Sequence, residues 1–504
     1  MTDVLLAHSY FLKYDTKQQE KMRPYPPLAT LYAASLLRSA GYSVALFDAM
    51  LSDGEHEFEE ALQEHRPQYV ALYEDSFNFL VKMCLSRMRR AAQAMSEAAR
   101  LAGAIVIAAS PDVSDHPEEY FCSGVQYAIA GEADHTLREL LDALTGRTAR
   151  AIDDIPGLAW PDPAVRGAVF RTAERKPERR LDVFPLPAWD LLDAERYRKA
   201  WRDAHGHYSV NMVTTRGCPF HCNWCAKPIW GQRYAIRSPK SVAEELSLVR
   251  EILQPDHIWF ADDIFGLKPG WVAEFAREAH ERDAVTPFTI QSRVDLMTDA
   301  AVAALKEAGC EEVWLGAESG SQRILDAMDK GTQVEQVGAA RARLKAHGIK
   351  ASFFLQFGYP GETFEDIMAT IRMVRETLPD NIGVSVSYPL PGTKFHDMVR
   401  EQLGAKTHWN DSNDLAMMFQ GTYQSRFYRH LHRLVHHDLE FHQRLAALGE
   451  HTREDAAIDT LLDELTADWA ELGRLNVDAR SSAPTQLAHN GPYPTLPDLT
   501  KEWN

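Results

Sequence analysis

The stretch "TTRGCPFHCNWCAKPIWGQRY" (214–234) puts three of the six cysteines, Cys218, Cys222 and Cys225, into the pattern Cys-x3-Cys-x2-Cys. Three thiols so close together could be a metal cage lacking one wall, part of a disulfide framework, or a site whose fourth position is kept free. Six cysteines in 504 residues do not make a disulfide framework in a reducing cytosol, so the cluster points to metal or redox chemistry. A structural zinc site needs four ligands, and here the fourth could only be His221, tightly flanked by Cys222, or a distant residue. A four-cysteine iron–sulfur cluster needs one more nearby cysteine, and the next, Cys310, is 85 residues on. Three thiolates can instead hold three irons of a 4Fe–4S cube and leave the fourth open to a substrate. The remaining cysteines, Cys84, Cys122 and Cys310, stand alone in apolar segments and read as small buried hydrophobes.

Around this loop the chain alternates short apolar runs with helical ones. Strands are expected at 4–9, 43–49, 69–74, 104–110 and 125–132, with helices at 27–41, 58–66, 78–102 and 134–146. Such alternation means a parallel sheet covered on both faces, a doubly wound, Rossmann-like domain over residues 1–147. Prolines 156, 161, 163, 177, 185 and 187 then mark a linker with a small hairpin, 148–203.

A second series begins at "YSVNMVTT" (208–215), and further strands are expected at 257–261, 287–292, 312–317, 352–358 and 382–387. Ser238-Pro239 with the pair Ser241 and Glu244 opens one intervening helix, and Thr363 with Asp366 opens another. Six βα units over 204–400 suit a partial β/α barrel, with an open twisted sheet as the alternative, and either fold binds ligands at its C-terminal strand ends. Residues 401–504 read as a helical region, with Phe427, Leu431, Leu434 and Leu445 on one stripe of 421–449, followed by an extended Pro- and Ser-rich tail. The histidines 430, 432, 436, 437 and 442 fit a solvated face or a cap over the active site, where Tyr423, Phe427 and Tyr428 would suit an apolar or planar substrate.

The balance of 54 basic against 72 acidic residues, a formal charge of −18, argues against an electrostatic grip on nucleic acid or anionic membrane. The N-terminus has no basic leader, and no run reaches the roughly 18 apolar residues of a spanning helix, so a cytoplasmic protein without a membrane span is expected. Its partner is a small-molecule substrate.

The cysteine motif closely resembles that of the radical S-adenosylmethionine enzymes, with Arg216-Gly217 before it, Pro219-Phe220 inside it and Trp224 before its last cysteine. The resemblance implies that Cys218, Cys222 and Cys225 hold a 4Fe–4S cluster whose open iron takes the amino and carboxylate groups of S-adenosylmethionine. An electron from the cluster, supplied by a flavodoxin or ferredoxin type of reductant, then gives a 5′-deoxyadenosyl radical. It further implies cosubstrate contacts from Asp262 and Asp263 in "FADDIFGL", Gln291 and Arg293 in "IQSRVDLM", and Glu318 and Ser319 in "WLGAESGSQRIL". "FGYPGET" and "YPLPGTKF" resemble the family's fifth and sixth strand ends. Read as ordinary structure, Asp262 and Asp263 are a helix cap, Glu318 a salt bridge at the barrel mouth and Arg293 a surface residue.

A Rossmann-like domain ahead of a radical barrel resembles the cobalamin-binding subclass, which implies cobalamin as a second cofactor. The Asp-x-His-x-x-Gly signature of many cobalamin proteins is absent; its nearest text is "DVSDHPEEY" (112–120), where His116 follows Asp115 directly. Expected cobalamin contacts are Pro26, Leu28, Glu74, Ser76, Ser110, Asp112, Gly131 and Glu132, with ordinary βα turns as the alternative. A nicotinamide site is disfavoured, because no Gly-x-Gly-x-x-Gly follows the first strand. The implied reaction is methyl transfer from methylcobalamin to an unactivated carbon. The alternatives are oxidative ring closure of the anaerobic magnesium-protoporphyrin monomethyl ester cyclase kind and a non-catalytic iron–sulfur or zinc protein.

Overall fold

The structure, a computed structural model, describes residues 2–83, 85–162, 164–165, 167–225, 229–404, 408–410, 415, 417–448 and 456–481. Cys84 and the expected tail beyond 481 lie outside the described residues.

The N-terminal sheet contains β1 (Val4–Ala7), β2 (Val44–Phe47), β3 (Tyr69–Tyr73), β4 (Ile105–Ala109) and β5 (Tyr127–Ile129), all parallel, in the order 2-1-3-4-5. Its central strands are apolar throughout because helices cover both faces; β1 and β3 are buried at every position. The strand order reverses direction beside β1 and β3, so a crevice opens outside their C-terminal ends. Two more strands, β6 (Leu158–Pro161) and β7 (Val169–Arg171), extend this sheet antiparallel. The hairpin expected in the proline-rich segment is therefore part of the first sheet. The expected helix 78–102 is two helices, Phe79–Lys82 and Ser86–Leu101, separated by a buried, extended Leu85.

The second sheet is six-stranded and wholly parallel: β8 (Ser209–Met212), β11 (His257–Phe260), β12 (Phe288–Ser292), β13 (Cys310–Glu318), β14 (Lys350–Phe357) and β15 (Asn381–Val386), hydrogen-bonded in chain order. Between β8 and β11 lies a short antiparallel pair, β9 (Thr215–Arg216) and β10 (Ala235–Ile236). Alternate side chains of the six strands enter the helix-covered layer. Phe260, for example, packs edge-on against Phe275 of helix Trp271–Glu281 at 5.9 Å. β8 and β15 form the two edges, which makes the sheet a half-barrel.

The helix starts are set by local chemistry. Thr363 and Asp366 form the expected capping box on Phe364–Thr377. Helix Pro239–Ile252 is capped one turn earlier than the Ser241–Glu244 pair suggested, because Ser238 accepts from the Ser241 amide while Pro239 takes the first helical position.

Beyond the barrel, helices Ser425–Leu448 and Ala456–Ser481 pack on each other, burying Leu431, Leu434, Leu465 and Leu472. The histidines of the first helix do not form a solvated face. His430 is buried and hydrogen-bonds the Asp468 carbonyl at 2.7 Å, and His437 meets the Asp468 carboxylate at 3.0 Å. Tyr423 and Phe427 stack at 3.8 Å, and the Tyr423 hydroxyl donates to Asn476. These groups join the two helices. Cys310 is buried as expected, whereas Cys122 is exposed. Among the described residues no helix is long and apolar enough to cross a membrane.

Candidate functional site

The described residues between β9 and β10, 217–225 and 229–234, lie at the C-terminal ends of the half-barrel strands. Gly217 has φ 74°, and a Cβ there would lie 2.4 Å from the Arg233 carbonyl, so only glycine closes the base of the loop. Cys218 is buried, Cys222 and Cys225 are half-buried, and no disulfide joins them. The donor set is three soft thiols, and among the described residues no further metal-ligand group gathers with them, which fits a cluster with one open iron better than a closed tetrahedral zinc site.

Asp262 is buried at the end of β11 and does not face the mouth. Its carboxylate accepts from the Thr214 amide at 2.7 Å, the Thr214 hydroxyl at 2.5 Å and the Thr215 amide at 2.8 Å, and so fixes the chain where it enters the cysteine loop. Burial raises its pKa to about 6. Asp263 pairs with Lys82 of the N-terminal domain at 2.6 Å. Neither is held ready for an ammonium group.

Gln291 stays partly exposed, its amide 3.4 Å from the Asp262 carbonyl. Arg293 stacks on Phe220, inside the motif, at 3.7 Å, pairs with Asp295 at 3.0 Å and donates to the Lys330 carbonyl. It is a buried brace for the loop. Glu318, in the left-handed region at φ 61°, pairs with Lys330 at 2.7 Å. Burial works against the Lys330 ammonium, but Glu318 and Cys222 beside it outweigh that and raise its pKa. Ser319 is fully buried against Thr370 at 3.2 Å and turns away from the mouth.

Four residues whose contacts no local pattern announced hold the site together. Asn223, between the second and third cysteines, has every polar group engaged. Its amide N–H reaches the Met328 carbonyl (3.0 Å), its Nδ2 the Ala327 carbonyl (2.7 Å), its Oδ1 accepts from the Tyr359 hydroxyl (3.0 Å), and its carbonyl accepts from the Phe395 amide (3.1 Å). The cysteine loop is thereby fastened to the chain following β13, β14 and β15. Lys330 is the second such residue and Tyr359 the third. The fourth, Arg216, stood out only as a flank of the motif. Its buried guanidinium pairs with Glu132 at 2.6 Å and Asp134 at 2.9 Å, across to the N-terminal domain, and lies 4.5 Å over the Phe184 ring. Burial, opposed by Arg216, leaves the Glu132 carboxyl above the usual carboxylate range.

Arg216 also lines a solvent-open crevice at the C-terminal ends of β3, β4 and β5. Glu74, Ser76, Ser110, Gly131 and Glu132 form its N-terminal wall, and Ile229 and Trp230, from the cysteine loop, face them. Gly131 has φ 79° and nothing within 4 Å of a would-be Cβ, so bare backbone faces open space there. Three expected contacts lie elsewhere. Leu28 is core, the Pro26 carbonyl takes the Asn211 side chain, and Asp112 is gripped by Arg89 through two bonds of 2.6 and 2.5 Å. His408 meets Asp112 at 3.5 Å, so this cluster clasps the C-terminal region to the first domain.

Comparison with known proteins agrees with this geometry. The radical SAM superfamily profile matches residues 212–374 and the B12 binding domain profile residues 23–141. An uncharacterized methyltransferase of Pyrococcus horikoshii is 28% identical over 374 residues, covering 73% of this chain and 77% of that protein. The anaerobic magnesium-protoporphyrin IX monomethyl ester cyclase of Rubrivivax gelatinosus is 27% identical over 392 residues, 76% of this chain and 67% of the cyclase. The radical SAM methyltransferase TsrM of Kitasatospora setae, solved with cobalamin and a 4Fe–4S cluster, has the same fold, with a TM-score of 0.64 at 18% identity over 80% of this chain and 75% of TsrM. The cobalamin-dependent enzyme OxsB superposes with a TM-score of 0.67 at 16% identity over 95% of this chain and 72% of OxsB. The half-barrel and its cysteine loop define a radical SAM enzyme. With its B12-binding domain, the chain belongs to the cobalamin-dependent radical SAM enzymes, and its cofactors are a 4Fe–4S cluster, S-adenosylmethionine and cobalamin.

Proposed function

We propose that this enzyme transfers a methyl group from cobalamin to an unactivated carbon of a small-molecule substrate, using a 5′-deoxyadenosyl radical. The observation that carries this reading is the shared wall of the two sites. Arg216 stands two residues before Cys218 and Trp230 five after Cys225, yet both line the crevice at the strand ends of the B12-binding domain. When bound, the cluster supplies the electron that cleaves S-adenosylmethionine, and cobalamin supplies the methyl group.

In this reading Cys218, Cys222 and Cys225 hold the cluster, while Gln291, Glu318 and Lys330 form the polar rim nearest it. Arg293 and Asn223 hold the loop in register with the strands. Glu74, Ser76, Ser110, Gly131 and Glu132 receive cobalamin. The division into 1–147, 148–203, 204–400 and 401–504 follows the same assignment, and an external flavodoxin or ferredoxin type of protein supplies the electron. Arg216 is itself buried with Glu132 and Asp134, and this low-dielectric surrounding strengthens their charge interaction.

The names of methyltransferase relatives support methyl transfer; the cyclase relatives favour a second reading, ring closure without it. Incubation of the reduced, cobalamin-loaded protein with S-adenosylmethionine distinguishes them. Methyl transfer predicts release of S-adenosylhomocysteine, and its absence from a protein that still forms 5′-deoxyadenosine overturns the methyltransferase reading.

A further inference from the structure

On β13 and β14 the residues Val313, Leu315, Phe353 and Leu355 are each no more than 1% exposed and belong to the layer under the helices. Strand alternation therefore turns Trp314 and Phe354 to the opposite, concave face of the half-barrel. There their rings lie 4.8 Å apart at 30°, and both stay half-buried instead of being sealed by a neighbouring element. Gly383 of β15 stands in register with Phe354. A methyl group at Gly383 would come within 3.1 Å of the Trp314 ring and 3.3 Å of the Phe354 ring, so the glycine gives the two rings room to lie against the β15 backbone. Trp259 of β11 has the same facing and is also half-buried.

The polar groups deeper on that face satisfy one another: Ser209, His257 and Thr289 form a chain of 2.9 Å contacts, and Ser352 donates to Glu312 at 2.5 Å. Nearer the mouth two buried amide oxygens, Gln356 Oε1 and Asn211 Oδ1, have no donor among the described residues. Their NH2 groups are fixed at 3.1 Å by the Ser387 hydroxyl and the Pro26 carbonyl. Gln356 is 2% and Asn211 4% exposed, on the same strand faces as Phe354 and Ser209. A buried acceptor without a donor is costly, and a ligand with a donor at its rim relieves it.

We infer that the concave face binds a flat conjugated ring system bearing an N–H or O–H at its edge, with Trp314 and Phe354 as the stacking platform and Gln356 as the acceptor. The inference names the substrate class of the proposed reaction and rests on that reading only for the identity of the site.

The test uses the full-length holoprotein and three small molecules, measured by equilibrium dialysis: indole, 1-methylindole, which lacks the N–H, and cyclohexanol, which lacks the flat ring. Indole is expected to bind more tightly than both. Its affinity should fall about tenfold in Trp314→Ala and in Phe354→Leu. The leucine variant keeps an apolar side chain of similar length, so one folded variant is available even if the alanine variant fails to fold. Cyclohexanol binding as tightly as indole, or unchanged indole affinity in a folded variant, overturns the inference. Cleavage of S-adenosylmethionine by the unaltered enzyme is measured in parallel; its absence would remove the radical reading while leaving the ring-binding result to stand.

Discussion

Replacing Asn223 by alanine tests how the cysteine loop is held. The substitution deletes two side-chain hydrogen bonds, 2.7 Å to the Ala327 carbonyl and 3.0 Å from the Tyr359 hydroxyl. At a net value of about 1 kcal/mol each, the docked loop loses about 2 kcal/mol. That corresponds to roughly a 30-fold shift toward the undocked loop. The Met328 and Phe395 backbone bonds survive, and Ala327 still accepts from Tyr359, so the effect is confined to the loop and the melting temperature changes little. The assay is the rate at which a chelator removes iron from the anaerobically reconstituted protein, together with the dissociation constant of S-adenosylmethionine. Faster iron loss and weaker cosubstrate binding are expected in Asn223→Ala. Tyr359→Phe removes the hydroxyl's contacts with Asn223 and Ala327 but leaves Asn223 its bond to the Ala327 carbonyl, so loop release should lie between that of Asn223→Ala and the unaltered enzyme. Because both substitutions remove the same contact, their effects should be less than additive. Unchanged iron release and cosubstrate affinity in Asn223→Ala would show that Asn223 does not fasten the loop.

Other perturbations have equally definite outcomes. Arg216→Ala leaves Glu132 and Asp134 buried without their cation, and thermal unfolding should report a loss of about 3–5 kcal/mol. Arg216→Lys should recover little of it, since one ammonium cannot reproduce the guanidinium's planar fork. Burial raises the Glu362 carboxyl from 4.5 to about 8, while its Oε2 accepts from the Gly358 amide. The folded state favours its protonated form, so its stabilising contribution is complete below pH 4.5 and is lost as pH rises through about 8. Glu362→Gln, which resembles the neutral acid, should flatten the melting temperature over that window. Asp262→Asn keeps an oxygen for the Thr214 and Thr215 amides and can donate to the Thr214 hydroxyl, so the fold should persist and the loss of stability between pH 3.8 and about 6 should disappear.

The parts legible in the sequence were those whose signal is local. Apolar runs of five to eight residues between helical stretches located all six half-barrel strands, and Thr363 with Asp366 marked a helix start. The three cysteines stood out by their spacing, and the resemblance of their motif, flanks included, implied the chemistry. What escaped depends on partners brought together by folding. Asn223 meets Tyr359 across 136 residues, and Arg216 meets Asp134 across 82. Nothing beside either residue encodes that meeting. Asp262 was legible as an acid at a strand end, but its direction was not. The entering chain at Thr214 and Thr215 offers it three donors, which outcompetes a role at the mouth. The C-terminal histidines looked solvated because Asp468, the partner that buries His430, sits on a second helix whose packing the pattern of the first does not reveal.

In the proposed reaction the loop of Cys218, Cys222 and Cys225 holds a cluster whose open iron cleaves S-adenosylmethionine. Its most direct test is the formation of 5′-deoxyadenosine when the anaerobically reconstituted, cobalamin-loaded protein is reduced in the presence of S-adenosylmethionine. 5′-Deoxyadenosine is expected from the unaltered enzyme and none from Cys222→Ala. No 5′-deoxyadenosine from unaltered protein carrying its full iron and cobalamin, or undiminished formation in Cys222→Ala, would contradict it.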